Sequence, residues 1–195
     1  MSELLIAAPL RLEELLIRSA VRGVPVHRTG MGPARARAAA HSLRDQPGDA
    51  LLVLGFCGGL DEESEPGEVV VAERVLAATD EGHSPHEVDC AGAETLTAAL
   101  RARGLRVRSG PVVCVSRLAL GERRAELHAG GAIAVDMESV WLSPGAGSRP
   151  FGVVRVVLDS PTHELMRPQA APGAMRAARA LRRVAGALRG WAPGG

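Results

Sequence analysis

The chain is almost free of aromatic side chains. Only 2% of its 195 residues are aromatic, and tyrosine is absent. Proteins that bind single-stranded nucleic acid stack bases on aromatic rings, so the composition argues against that class. The formal net charge is +1 and the isoelectric point is near 7.9. Nucleic-acid-binding domains typically have an excess of basic residues and a pI above about 9. We therefore expect a small-molecule partner and no nucleic acid.

Cysteine is scarce, and its spacing excludes two kinds of site. Cys57, Cys90 and Cys114 are odd in number and form no CxxC pair, which argues against a disulfide framework and against a zinc site. We expect a reducing compartment, no bound metal and no cofactor. Lysine is absent as well, so arginine carries the basic charge, a bias that we attribute to genome composition.

Signals for export or membrane insertion are also missing from the sequence. Residues 1–9 place an acid before a brief apolar run and lack the basic start of a signal peptide. No apolar run approaches the roughly 20 residues that are needed to span a bilayer. These absences predict a cytoplasmic protein.

The length and the hydrophobic content favour one domain. With 195 residues, of which 46% are hydrophobic, the chain can bury one large core but is short for two domains. We assign residues 1–191 to a single domain and 192–195 to a flexible tail. Short apolar runs alternate with segments of helical period. This predicts an α/β fold, a three-layer domain with a central mixed, mostly parallel sheet flanked by helices.

The alternation predicts seven strands and six helices. The strands are predicted near Leu4–Ala8, Val24–Arg28, Leu51–Gly55, Val69–Ala78, Leu105–Val115, Ala132–Val135 and Gly152–Leu158. The helices are predicted at Leu10–Val21, Ala34–Arg44, Ala91–Arg103, Glu122–Ala129, Met137–Leu142 and Pro172–Arg189. Residues 80–90, with their glycine, proline and histidines, are expected to form a loop over the site.

The last predicted helix is amphipathic and basic. Met175, Leu181, Val184 and Leu188 recur at helical spacing, and arginines fill many of the other positions. We expect the apolar face to pack on the domain. The alternative is contact with an anionic membrane surface.

Carboxylates stand at the ends of two apolar runs. Asp136 and Glu138 follow one run, and Asp159 ends another. The crevice at the carboxyl ends of strands is where open α/β sheets build ligand sites. The structural alternative is that Asp136 and Glu138 begin a helix and that Asp159 opens a turn before Pro161.

Two glycine-rich segments precede these acids. Gly30, Met31 and Gly32 follow a predicted strand and begin a helix, where glycine can adopt positive φ and bring N–H groups close to an anion or a ribose oxygen. An ordinary strand-to-helix turn is the alternative. The second segment, residues 55–59, ends a buried strand in a glycine turn, at a place where side chains would block a ligand or a crossing backbone.

In order and spacing, these elements resemble the nucleoside phosphorylase and methylthioadenosine/S-adenosylhomocysteine nucleosidase superfamily. The elements are the two glycine segments, Asp136-Met137-Glu138-Ser139 and the late Arg155-x-x-x-Asp159. The resemblance extends from near Leu4 to about Pro161. It implies an enzyme that cleaves the N-glycosidic bond of a purine nucleoside and assembles at least as a homodimer. Residues 55–61 and 134–139 look most similar to the hopanoid-associated branch, which releases adenine from adenosylhopane.

The resemblance implies a role for each matching residue. Glu138 binds the ribose hydroxyls with Met137 beneath the sugar, Asp159 protonates the departing purine at N7, and Glu13 orients and deprotonates the attacking water. The structural alternative for Glu13 is a position on a helix surface. The other implied substrate-binding residues are Gly30, Met31, Gly32, Phe56, Cys57, Gly58 and Ser116.

The resemblance leaves open whether water or phosphate is the nucleophile. Relatives that bind phosphate usually offer Ser or Thr and Arg in the second glycine segment, where this chain has Phe56 and Cys57. This departure and the acid at Glu13 favour hydrolysis, and Arg11 is the residue that could pair with phosphate instead. The alternatives are a phosphate-dependent purine nucleoside phosphorylase, a methylthioadenosine/S-adenosylhomocysteine nucleosidase, a futalosine hydrolase and, of another class, a non-catalytic nucleoside-binding module.

Overall fold

The computed structural model describes residues 3–79, 82–164, 170–188 and 191. For residues 79 and 82–85 it describes the backbone alone. Within this part the chain forms eight strands, six α-helices and one 3-10 helix. The strands are β1 Leu4–Ala8, β2 Val26–Arg28, β3 Ala50–Gly59, β4 Val69–Thr79, β5 Gly82–Asp89, β6 Val107–Cys114, β7 Ala134–Asp136 and β8 Phe151–Asp159. The helices are α1 Arg11–Ala20, α2 Pro33–Arg44, α3 Ala93–Ala102, α4 Glu122–Ala129, α5 Ser139–Leu142 and α6 Ala171–Ala187, with the 3-10 helix at Ser143–Ala146.

The strands pair into a mixed sheet that closes on itself. Their order is β2-β1-β3-β7-β6-β4-β5, and β8 pairs with both β3 and β4, so that β3, β8, β4, β6 and β7 form a barrel-like ring. Five of the strand pairs are parallel, and β3–β7, β4–β5 and β4–β8 are antiparallel. The predicted mixed, mostly parallel sheet is confirmed. Local periodicity does not predict the closure, because the ring depends on the long-range β4–β8 pair.

Two hydrophobic layers cover the faces of the central strands. All five residues of β1 and all ten of β3 are buried, as expected for strands covered on both faces. Successive residues point to opposite layers. Ile6 and Leu52 pack with α1, α3 and α6, whereas Leu5 and Leu51 pack with α2 and α5. The predicted flanking of the sheet by helices on both faces follows from this alternation.

Helix α6 packs its apolar side on the sheet. Leu181, Val184 and Ala185 are fully buried, whereas the arginines of the helix are exposed. Beyond the helix, Trp191 packs against Gly152, where an added Cβ would lie 3.0 Å from the indole ring. The expectation that this face packs on the domain is confirmed, so the same face is not available to a membrane surface. No helix in the described residues is long and apolar enough to cross a membrane.

Three segments bear on the remaining sequence-based predictions. Residues 82–89 form β5 and not a loop, and β5 pairs antiparallel with β4 at the edge of the described sheet. An edge strand needs partners on one side only, so it tolerates a Gly- and Pro-containing sequence without apolar alternation. Residues 80 and 81 and the predicted tail, 192–195, lie outside the described residues. Strand β3 runs as far as Gly59, so the second glycine segment is part of a strand and not a turn.

Candidate active site

The carboxyl ends of β1, β3 and β8 meet at one edge of the sheet, because these strands are parallel neighbours. Helix α1 follows β1 and carries Glu13 in its first turn. Asp159 is the last residue of β8 and lies opposite Gly58 of β3. Strand β7 runs antiparallel beside the same glycine, which brings Asp136 and Glu138 to this edge. The fold therefore gathers acids from segments that are far apart in the sequence.

A fully buried guanidinium occupies the centre of this cluster. Arg155 of β8 has no exposed surface, and its Nη2 lies 2.6 Å from Asp136 Oδ2 and 3.6 Å from Glu138 Oε2. Nη2 also donates to Ser139 Oγ at 2.9 Å, and Nη1 donates to the Phe56 carbonyl oxygen at 3.4 Å. Burial opposes the charged form, but the surrounding carboxylates raise the pKa of Arg155, so the guanidinium stays charged.

Glu13 points into the fold. Its carboxylate is buried and accepts hydrogen bonds from the backbone N–H groups of Leu10 and Phe56, both at 2.6 Å. Burial raises the pKa of Glu13, and Arg155 opposes this shift. The helix-surface alternative is therefore wrong for Glu13. It describes Glu14, which forms an ion pair on the surface of α1.

Glu138 connects the cluster to the first glycine segment. Its Oε1 accepts a hydrogen bond from the backbone N–H of Gly32 at 2.9 Å. Gly32 is the N-cap of α2 and has a φ of +91°, a conformation that favours glycine. Burial raises the pKa of Glu138 to about 7, an effect that Arg155 opposes and Asp136 reinforces. The carboxyl group of Glu138 therefore changes charge near neutral pH.

Asp136 binds backbone N–H groups at the start of helix α5. It accepts hydrogen bonds from the backbone N–H groups of Glu138 and Ser139, both at 3.2 Å, and from the Ser139 hydroxyl group. Cys114 Sγ donates to it at 2.7 Å. The helix-start interpretation is therefore correct for Asp136. Glu138 also precedes the helix, but its side chain turns towards Arg155 and does not cap it.

Asp159 forms a second buried ion pair, with Arg124 of α4. Arg124 Nη2 lies 2.6 Å from Asp159 Oδ2. Two backbone carbonyls hold the guanidinium, since Nε donates to Ala119 at 2.9 Å and Nη1 donates to Gly59 at 3.4 Å. Burial raises the pKa of Asp159, and Arg124 opposes this shift. The side chain is thus paired with Arg124 and is not used to open a turn before Pro161.

Two glycines of β3 allow these side chains to approach the strand. A Cβ atom at Gly55 would lie 2.5 Å from Glu13 Oε1 and 2.9 Å from Arg155 Nη1. A Cβ atom at Gly58 would lie 3.3 Å from Asp159 Oδ1. Neither glycine has a positive φ. Their role is close packing, which corrects the interpretation of this segment as a turn.

The other residues predicted for the site lie in different environments around the cluster. Phe56 contributes its backbone N–H and carbonyl groups. Cys57 packs in the hydrophobic layer beneath α2 and α5, where burial raises the pKa of its thiol. Met137 is partly buried, whereas Met31 and Ser116 are exposed. The described hydrogen bonds of the cluster therefore involve Phe56 directly and none of these four side chains.

Neither of the two arginines that organise the cluster has a predicted role, although Arg155 belongs to the Arg155-x-x-x-Asp159 element. Arg155 interrupts the apolar run of β8, and a charge inside a buried strand is a signal of a buried ion pair. That signal could have found Arg155. Arg124 lies in a polar segment beside Arg123, and nothing local distinguishes the two. Only the tertiary packing determines that Arg124, and not Arg123, forms the buried ion pair.

Comparisons with known proteins identify the family. The family model of the phosphorylase superfamily matches residues 14–186. The chain belongs to the phosphorylase superfamily. Enzymes of this superfamily cleave N-glycosidic bonds, and the protein is an enzyme of this kind. The matched residues include the acids at 136, 138 and 159 and both buried arginines, and the match begins one residue after Glu13.

Solved structures of nucleosidases share the fold. The 5′-methylthioadenosine/S-adenosylhomocysteine nucleosidase of Neisseria meningitidis, in complex with methylthio-immucillin-A, has a TM-score of 0.79 at 20% identity, over 98% of this chain and 100% of that chain. The futalosine hydrolase of Helicobacter pylori has a TM-score of 0.77 at 14% identity, over 96% of each chain. At these identities the likeness establishes the superfamily fold alone. No curated protein sequence matches the chain.

We predict that Gly55→Ala destabilises the protein by about 1–3 kcal/mol, because the added methyl group overlaps the Glu13 carboxylate and the Arg155 guanidinium. Chemical denaturation measures the loss. The matched control is Gly186→Ala, where an added Cβ meets nothing within 4 Å. Alanine is favoured inside helix α6, so the control should gain about 0.5–1 kcal/mol. Wild-type stability of Gly55→Ala would contradict the packing role of Gly55.

We predict that Glu138 makes the native state less stable as the pH rises from about 5 to about 8. Its folded-state pKa of about 7 exceeds the ordinary 4.5. Between these values the native state holds a proton that the unfolded state has released, so the free energy of unfolding falls with rising pH. Glu138→Gln cannot ionise and should show a flatter profile in equilibrium denaturation. Parallel profiles for the two proteins would show that Glu138 titrates alike when folded and unfolded.

Proposed function

We propose that the protein hydrolyses the N-glycosidic bond of a 5′-substituted adenine nucleoside and that adenosylhopane is its substrate. The observation that carries the proposal is the buried Glu13 carboxylate, gathered with Glu138 around the single guanidinium of Arg155. A general base for water must be shielded from solvent and within hydrogen-bond reach of the water. Because burial raises the pKa of Glu13, this carboxylate is a stronger base than one on the surface.

In the proposed mechanism, Glu138 holds the ribose. Its carboxylate oxygens accept hydrogen bonds from the 2′- and 3′-hydroxyls, and charge-assisted bonds of this kind contribute roughly 1.5–3 kcal/mol. The backbone N–H of Gly32 and the guanidinium of Arg155 orient the carboxylate. Met137, its partly buried neighbour, packs beneath the sugar.

Asp159 assists the departure of the base. Negative charge builds on the purine as the bond breaks, and a proton given to N7 neutralises it. Burial raises the pKa of Asp159, which favours the protonated form that can donate. The Arg124 contact to Oδ2 fixes the carboxyl group, with Oδ1 on the side of Gly58. Arg124 is thus a positioning residue for the acid.

The charges of the cluster favour water over phosphate as the nucleophile. The guanidinium nearest to Glu13 is that of Arg155, which is already paired with Asp136 and close to Glu138. Arg11, which could have paired with phosphate, is exposed at the start of α1. A phosphate dianion would therefore meet two carboxylates and a neutralised guanidinium.

The surroundings of the cluster favour an apolar 5′ substituent. Among the described residues six large hydrophobic side chains are exposed, and four of these are direct chain neighbours of residues that contact the cluster. The four are Leu12, Met31, Leu118 and Leu120. Their neighbours in the hydrogen-bond network are Glu13, Gly32 and Ala119. Exposed apolar side chains next to these residues in the chain suit a lipid-like substituent, and this observation favours the adenosylhopane branch.

We predict that adenine release is independent of phosphate and fastest for an adenosyl lipid. The assay compares methylthioadenosine, adenosylhomocysteine, inosine and an adenosyl lipid, each with and without phosphate, and quantifies free base and sugar phosphate. Free ribose derivative is the expected product, because the cluster repels anions. Accumulation of a ribose 1-phosphate ester in proportion to added phosphate would establish phosphorolysis instead. Faster cleavage of methylthioadenosine or adenosylhomocysteine would exclude the lipid assignment but keep the reaction.

We predict that Glu13→Gln and Asp159→Asn each lower turnover by about 10²–10⁴-fold, since each variant removes one proton-transfer group. Steady-state kinetics on the best substrate of the panel measures the loss. Glu14→Gln is the matched control, because Glu14 is adjacent in sequence but lies on the helix surface. It should retain wild-type turnover. Near-normal turnover of Asp159→Asn in a folded protein would remove Asp159 from the mechanism.

A further inference from the structure

A cavity that shares no lining residue with this cluster has four basic side chains in its wall. Helices α2 and α5, strand β5 and the 3-10 helix enclose about 360 Å³, which lies within the range of small-molecule sites, about 300–1,000 Å³. Arg37, His41 and Arg44 of α2 face this space together with His86 of β5. The described residues that line the cavity include no acid.

The spacing on α2 explains why the basic groups converge. Positions 37, 41 and 44 are separated by four and three residues and therefore share one face of the helix, over about 10 Å of its length. Neither Arg37 nor Arg44 forms an ion pair with a described carboxylate. No described carboxylate therefore lies within ion-pair distance of either guanidinium.

Trp141 forms part of the cavity wall. It lines the cavity with the Arg37 guanidinium 3.9 Å from its ring centroid and the ring of His86 stacked at 6.2 Å. The Arg37 guanidinium is thereby held at the wall of the cavity by a cation–π contact.

We propose that this cavity binds a phosphate monoester, such as a sugar phosphate or a nucleoside monophosphate. Arginine presents its donors as a planar fork that matches the oxygens of a phosphate group, and two arginines with the imidazole of His41 suit a dianion. Ala40, Val140 and Pro144 supply an apolar floor for the organic part of the ligand. None of the residues that line the cavity belongs to the acid cluster, and the proposal is independent of the reaction assigned there.

Tryptophan fluorescence tests this proposal directly. The chain has two tryptophans, and Trp191 lies in the hydrophobic core, so a change caused by a ligand reports Trp141. Titration with ribose 5-phosphate should give a saturable change, and calorimetry should give the same affinity. Arg44→Gln and His41→Asn should each weaken this affinity about ten-fold or more, the effect of one charge-assisted hydrogen bond. Circular dichroism checks that both variants are folded.

Two control variants separate this site from other sources of anion binding. Arg182→Gln removes an exposed arginine of α6 and should leave the affinity unchanged, as should Glu138→Gln in the acid cluster. An equal loss in Arg182→Gln and Arg44→Gln would overturn the proposal in favour of non-specific attraction. A change in Glu138→Gln alone would place the anion in the acid cluster. A lack of saturable response, with a changed sedimentation coefficient for Arg44→Gln, would make this face a contact between subunits.

Discussion

The buried guanidinium of Arg155 is the interaction on which the rest of the site depends. It lies without exposed surface inside a closed ring of strands, where an unpaired charge would cost several kcal/mol. Its partners are Phe56 of β3 and the residues Asp136, Glu138 and Ser139 around β7 and α5. Satisfying this one charge therefore fixes how three segments meet β8. The geometry of the site is part of the folded core and cannot adjust independently of it.

One cation faces three carboxylates, and this imbalance gives the cluster its chemistry. Asp136 makes the shortest contact with Arg155 and also accepts hydrogen bonds from N–H groups at the start of α5, so its charge is well compensated. Glu13 and Glu138 share the remaining influence of the Arg155 charge, and burial raises the pKa of both. A purely structural ion pair would balance its charges. A surplus of buried acids lowers stability near neutral pH but leaves groups that can exchange protons there, which is the usual compromise at a functional site.

The sequence predicts the elements better than the contacts between them. Strand β1 agrees residue for residue, because a parallel strand buried on both faces is a continuous apolar run. The gathering of the acids at one edge follows from topology, so it too could be predicted. The partners of Arg155 could not be predicted, because they depend on side-chain directions across three strands. Arg124 is buried and its neighbour Arg123 is not, although the two are locally equivalent in sequence. The edge strand β5 lacked any apolar period to reveal it.

Arg124 connects the acid of the cluster to its apolar surroundings. One side of its guanidinium pairs with Asp159, and the other donates to the carbonyl of Ala119, which lies between the exposed Leu118 and Leu120. A group that packs on these leucines therefore contacts the segment that holds the guanidinium. Because the strength of a buried ion pair depends on its geometry, the position of this segment bears on the charge of Asp159. In the mechanism that we propose, contacts at Leu118 and Leu120 and proton transfer from Asp159 to the base are linked through Arg124.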